Sequence, residues 1–304
     1  MKKITLTAMV LAVACMFAAC TKEGVYNPKE KISKIFESSV STYTMGSTTT
    51  TDETPKHPTE SWTWDGKLLS SITYYEGDGT VDETVTFTYD GKQLSKMQTV
   101  GSNSYTQFIY DGSKLEKFET YYSNRLESAG TVTYDGKKVV QIDVVDYDNN
   151  KSNKTDRLMQ TVLQFVMPVY TENTAKVAKT VATKGSNTST IKFEWDGKNI
   201  SKAILEYDND KISVAYTYDE KNNPYQGFLY FIEDEAIGAT WGSKNNVLSE
   251  TVTMSMDGET DTYKYTFSYE YDGKWPTTKT YSNSDSYMGI TYSSKTTTYF
   301  EYDD

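Results

Sequence analysis

The sequence predicts a mainly β protein. Successive antiparallel hairpins would form a long twisted sheet or a wrapped, solenoid-like array, with one helical interruption near residues 155–182. Three observations lead there. The chain holds 26 Tyr, 11 Phe and 5 Trp but only 6 Pro, and Tyr, Thr and Phe favour pleated, half-exposed surfaces. One short phrase recurs along the chain. That phrase carries Asp-Gly between runs of alternating polarity, a strong hairpin signal.

The phrase is an aromatic, any residue, Tyr or Trp, Asp, Gly, Lys, any residue and an aliphatic. It runs from Trp62 to Leu69, Phe87 to Leu94, Phe108 to Leu115, Val132 to Val139 and Phe193 to Ile200. Copies at Tyr216 to Asn223 and Tyr269 to Pro276 are degenerate: Glu220 replaces the Gly, and Pro276 replaces the aliphatic. Phe300 to Asp303 is an incomplete copy. The Asp residues therefore stand at 65, 90, 111, 135, 196, 219, 272 and 303. Most steps are 21 to 25 residues, the length of one hairpin unit in a repeat array.

Asp-Gly at the centre of a two-residue type I′ turn satisfies the need for positive φ at both positions. In Val85 to Tyr89, residues 85, 87 and 89 share one face. An Asp90-Gly91 turn pairs Phe87 with Leu94 and leaves Met97 on the other face from Leu94. Either a bulge follows the turn or both faces of the sheet are partly covered.

These motifs resemble the YD repeats of wall-associated and RHS-type bacterial proteins. Together with the N-terminus described next, they look like a family of Bacteroidetes lipoproteins of unknown function. The resemblance covers about residues 60 to 304. It implies an exported β-rich protein of the outer membrane and carries over no active site.

The N-terminus reads as an address. Lys2 and Lys3 precede an apolar run from Ile4 to Ala19, and Phe17-Ala18-Ala19-Cys20 ends it. That order is a secretory signal, residues 1–19, with small residues at the cleavage point. It resembles the lipobox of bacterial lipoproteins, in which Cys20 would be lipidated. Cys15 is a rival inside the apolar run. Residues 20–58 read as a lipid-anchored flexible tether, with Pro55, His57 and Pro58 in it, and residues 59–304 as the repeat domain. The localisation that follows is an outer-membrane lipoprotein on the surface or the periplasmic face.

Two segments break the β pattern. Leu158, Met159, Val162, Leu163, Val166 and Met167 recur at helical spacing. Residues 224–248 turn from apolar to acidic and suit a buried strand or a capping helix.

Chemistry is mostly absent. Net charge is −11, and −13 once Lys2 and Lys3 leave, which argues against nucleic acid as a partner. With Cys15 removed and Cys20 lipidated, no thiol remains for catalysis or metal. The one histidine, His57, falls in the expected tether, and no nucleotide motif or cofactor fingerprint is present. Asp146, Asp148 and Asn150 are spaced as a calcium loop begins, but Lys151 stands where Gly is needed and Arg157 where Glu is needed. That stretch reads as a polar loop, and no metal is expected.

The aromatics of the phrase are the remaining candidates: Trp62, Trp64, Tyr89, Tyr110, Tyr134, Trp195 and Tyr271. Exposed, they would form a ladder that binds sugar faces or wall polymers. Buried, they would be the core between hairpins, the stronger reading for a chain with few other apolar residues. The expected function is non-enzymatic: a lipid-anchored envelope protein binding a glycan, a wall polymer or an envelope protein. The alternatives are a carboxylate-based polysaccharide hydrolase and a purely structural spacer.

Overall fold

The computed structural model describes residues 26, 28–147, 188–207, 210–227, 242–256, 258–287 and 290–303. The expected helix at 155–182, lipidation at Cys20 and the calcium candidates Asp148 and Asn150 lie outside them.

The described residues form sixteen strands: β1 Ile32–Met45, β2 Thr48–Asp65, β3 Leu68–Tyr75, β4 Val81–Asp90, β5 Gln93–Thr99, β6 Ser104–Asp111, β7 Lys114–Tyr122 and β8 Arg125–Asp135. They continue as β9 Lys138–Asp146, β10 Thr188–Asp196, β11 Asn199–Tyr207, β12 Asp210–Tyr218, β13 Val247–Met256, β14 Glu259–Asp272, β15 Trp275–Tyr287 and β16 Ile290–Tyr302. Each pairs antiparallel with its neighbours in sequence, and β1 pairs with β16 to close a barrel. This corrects the open sheet or solenoid expected from the repeat. An array of hairpins leaves two edge strands with unpaired backbone groups, and closure removes both. The residues from 32 to 58 are likewise barrel wall, in β1 and β2, and not tether.

The hairpin phrase forms a different turn from the one expected. Asp90 pairs with Gln93, and the two loop residues are Gly91 and Lys92. Gly91 has φ +61, and no non-glycine residue of these turns has positive φ. Positive φ at the first loop residue alone is the type II′ pattern, so glycine is required there and Asp ends the strand. The β7–β8 hairpin does have both loop residues positive, Ser123 at φ 49 and Asn124 at φ 62, as a type I′ turn requires.

A bulge follows each of these turns. Tyr89 pairs with Leu94, Thr88 with Lys96 and Phe87 with Met97, so Ser95 is the extra residue. It places Leu94 and Met97 on the same face, and its hydroxyl donates to the Thr88 carbonyl at 3.0 Å. The hairpins at 65–68, 111–114, 135–138, 196–199 and 272–275 shift register at the equivalent place.

Because each repeat is two strands, the phrase returns to the same rim of the barrel every time. Among the described residues eight repeats make sixteen strands, and the eighth is split between β16 and β1. The Asp303 N–H donates to the Lys31 carbonyl at 2.8 Å. Trp64 Nε1 donates to the Ile32 carbonyl at 2.8 Å, as Trp195 does to Val139 at 2.8 Å. Lys31 and Ile32 therefore supply the second half of the phrase that Tyr302 and Asp303 begin. In the sixth repeat Glu220 replaces Gly because no tight turn exists there. A long connection leads from β12 to β13, with Asp219 accepting from the backbone N–H groups of Lys221 and Asn246 at 2.9 and 3.1 Å. Its Tyr225 packs on Trp62 and Phe300, with centroids 6.2 Å from each, and Tyr26 donates to the Pro224 carbonyl at 2.6 Å. Tyr26, Pro224 and Tyr225 thus pack across the phrase-bearing rim.

The two faces of the wall differ. Ile72, Val85, Phe87, Phe118, Ile142, Val144, Ile191, Phe193, Ile212, Val214, Val252 and Phe267 point inward and belong to one buried cluster. The outward positions between them are Thr84, Thr86 and Thr88 on β4, Lys192 and Glu194 on β10, and Lys264, Thr266, Ser268 and Glu270 on β14. Burial of the inward face drives folding at roughly 25 cal/mol per Å² of apolar surface.

Candidate functional site

The phrase aromatics that could have formed a ligand strip are fastened into the wall instead. Trp62 is 6% exposed and lies in the core cluster, against which Trp64, Tyr89, Tyr110, Tyr134 and Trp195 pack. Tyr89 donates to the Leu69 carbonyl of the preceding repeat at 2.9 Å. Lysines one repeat back stack on the same rings, Lys114 on Tyr134 at 4.9 Å and Lys138 on Trp195 at 5.6 Å. Tyr271 donates to the Asp219 carboxylate and stacks on Tyr269 at 6.0 Å. Desolvation pushes the Tyr89 phenol up to about 12. These rings join neighbouring hairpins along the inner wall. Asp146, the one described calcium candidate, is buried at the end of β9, and among the described residues no group of three or more acidic, His or Cys side chains could hold a metal.

A different constellation lies toward the opposite rim. Strands β14, β15, β16, β1 and β2 run 13 to 18 residues, while β3 to β13 run 7 to 11. On these long strands the inward face changes character. Along β1 it runs from buried Ile35 through Glu37, Ser39 and Ser41 to Tyr43, which is 43% exposed. Along β16 it runs from buried Phe300 through Thr298, Thr296 and Ser294 to Tyr292, also 43% exposed. Tyr43 and Tyr292 are directly paired, and Tyr292 Oη lies 3.3 Å from Ser41 Oγ. Along β14 exposed Glu259 and Asp261 give way to Tyr263, then to buried Tyr265 and Phe267. The inward face of these long strands, here termed the vestibule, is thus polar and aromatic at its mouth and apolar below.

Ionisable groups sit on the vestibule floor. One row across the sheet reads His57, Glu37, Thr298, Lys279 and Tyr269 through successive pairs. Beside it, Glu250 pairs with Tyr216 and with Tyr265. Glu250 is 1% exposed, and its Oε1 has no hydrogen-bond partner. Burial pushes its carboxyl up, with the Lys279 ammonium pulling the other way. Lys279 Nζ sits 4.6 Å from the centre of the Phe267 ring, and burial depresses its ammonium against the opposing charges of Glu250 and Glu37. Burial also raises Glu37, offset by His57 and Lys279. Tyr281 packs against Tyr265 and Phe267 with tilted rings, centroids 6.0 and 5.8 Å away, and its buried hydroxyl has no hydrogen-bond partner.

Sequence reasoning did not single out Glu37, Glu250, Lys279 or Tyr281, and it put His57 in a tether. The available signal was parity. Glu250 precedes Val252 and Met254, and Lys279 precedes Tyr281, at positions where alternation demands an inward side chain. A charge at such a position marks either an error of register or a site.

No family model and no curated protein matches the chain. Among solved structures, a porin-like protein from Bacteroides uniformis is similar at 10% identity and a TM-score of 0.49, covering 90% of this chain and 98% of its own. A porin-like protein from Bacteroides vulgatus is similar at 10% identity and a TM-score of 0.44, covering 90% and 99%. Likeness at this level carries no inference about function.

Proposed function

We propose that this protein is a non-enzymatic, lipid-anchored lipoprotein of the outer membrane whose barrel stands in water. Its vestibule receives a glycan, a wall polymer or an envelope protein. The observation that carries the reading is the sense of the wall. A barrel that spans a bilayer turns an apolar band of about 25 Å outward and keeps its interior polar. This barrel does the reverse, with Thr, Ser, Lys and Glu outside and one apolar cluster inside. Among the described residues the exposed large apolar side chains are scattered, and Met45, Val81, Val100, Tyr122 and Tyr147 among them lie at strand ends and turns. Membrane attachment then falls to the N-terminus, where Cys20 ends a signal-like apolar run.

The test has two arms. Cys20→Ala is expected to leave a detergent-free, monodisperse protein in the periplasm, while the wild type fractionates with the outer membrane. A variant that stays in the membrane and needs detergent would mean that the wall itself is embedded. In the second arm, wild type and a Tyr43→Ala/Tyr292→Ala double variant are applied to a glycan array and to purified peptidoglycan. Retention of the wild type that the double variant weakens supports binding at the vestibule mouth. Turnover of a polysaccharide that Glu37→Gln or Glu250→Gln abolishes would make the protein a hydrolase instead.

A further inference from the structure

We propose that the vestibule floor is a subsite for a single saccharide ring, held by Glu250, Tyr281 and Lys279 against the Tyr265 and Phe267 rings. The inference rests on reading the vestibule as a binding site and names the chemistry of its deepest part.

Two buried polar atoms on the inward face have no hydrogen bond, Glu250 Oε1 on β13 and Tyr281 Oη on β15, the strands that flank β14 on either side. Each such group costs about 1–3 kcal/mol when nothing satisfies it, so a native fold that retains two together is shaped for something that does. The carboxyl, which burial keeps protonated, and the phenol can each donate or accept. A hydroxyl supplies both roles. A ring of hydroxyls with an apolar C–H face also suits the cluster of tilted Tyr265, Tyr281 and Phe267 rings beside it.

Other ligand classes fit less well. An acyl chain would leave Glu250 and Lys279 desolvated and unpaired. A metal ion would meet the Lys279 ammonium, and no ligand cluster stands there among the described residues. A strongly anionic ligand would face Glu37 and Glu250, with Glu259 and Asp261 on the way in.

The experiment is saturation-transfer NMR on the purified mature protein with glucose, galactose, mannose and N-acetylglucosamine as probes. Wild type is compared with Glu250→Leu and Tyr281→Phe, each of which removes the hydrogen-bonding atom, with circular dichroism to confirm that each variant keeps its sheet. The expected result is transfer to at least one sugar, with affinity lowered about tenfold or more in both variants, the worth of one good hydrogen bond to a carboxyl or phenol hydroxyl. Sugar binding that both variants leave unchanged overturns the subsite while sparing the binding role, because the sugar then sits elsewhere. No transfer to any of the four sugars also overturns it, and the array and peptidoglycan experiment then judges the wider reading by itself.

Discussion

At position 130 there is no room for a methyl group. A Cβ there would lie 2.0 Å from Cζ of Phe118, the residue directly paired with it on β7. Gly130 lets the phenyl ring lie flat over the neighbouring strand inside the barrel. Gly130→Ala is expected to cost about 1–3 kcal/mol by overpacking, read as a lower urea midpoint. Restoration of much of that loss by Phe118→Leu would show that the clash is with the ring. Glu250 makes a second prediction at this scale. Its carboxyl is pushed up from the usual 4.5 to about 8 by burial. Between those values the unfolded chain has released its proton and the folded one has not, so stability falls as pH rises through that window. Glu250→Gln mimics the protonated form. It should leave Tm unchanged at pH 5 and raise it by a few degrees at pH 9. An equal shift at both pH values would mean that the carboxyl does not titrate between them.

At the scale of the hairpin, the phrase is a complete folding instruction. Asp ends the strand, Gly takes φ near +60, Lys completes the loop, and an extra residue two positions beyond the x residue forms the bulge that brings the aliphatic pair to one face. A Cβ at Gly91 meets nothing within 4 Å, so its substitution tests conformation alone. Gly91→Ala should cost about 1–2 kcal/mol, and Gly77→Ala less, because Gly77 has no positive φ and its Cβ likewise meets nothing within 4 Å. Equal losses in thermal unfolding would show that something other than φ is being measured. The phrase also carries its own coupling to the next hairpin. A ring donates backward to a carbonyl, and a lysine reaches forward to a ring or a glycine carbonyl, as Lys114 does to Gly136 at 2.7 Å.

For the whole molecule, the split repeat makes the β16–β1 seam one more copy of a circular pattern. A permutant that joins Asp303 to Lys31 through Gly-Lys, and opens between Gly136 and Lys137, should fold with the same urea midpoint as an unpermuted chain beginning at Lys31. A permutant that fails to fold, or folds far less stably, would show that the β1–β16 seam is not equivalent to the other hairpins. Closure also creates the vestibule. Strands from both ends of the chain, β14 to β16 with β1 and β2, are the long ones, and only their pairing sets Glu37 and His57 beside Lys279.

The strands, the repeat, the one-hairpin period and the bulge as one of two options were legible in the residues, because each depends on alternation and turn stereochemistry within about ten positions. The turn type was misassigned, since Asp-Gly satisfies the type I′ preference locally while the Asp90–Gln93 pairing places the loop one residue later. The Thr-rich segment around Thr48 to Thr51 reads locally as a tether because it has almost no apolar residues. It is a strand because its partner is β1 on one side and because its polar faces suit a vestibule mouth open to water. What the sequence by itself determined is the hairpin unit and which of its faces is apolar. Only the tertiary structure decided that eight such units close into a ring and not an open array, and that charges on distant strands meet inside it. Closure depends on accumulated twist and on a pairing between residues more than 250 positions apart, such as Glu37 with Thr298, and no local pattern encodes a contact of that span.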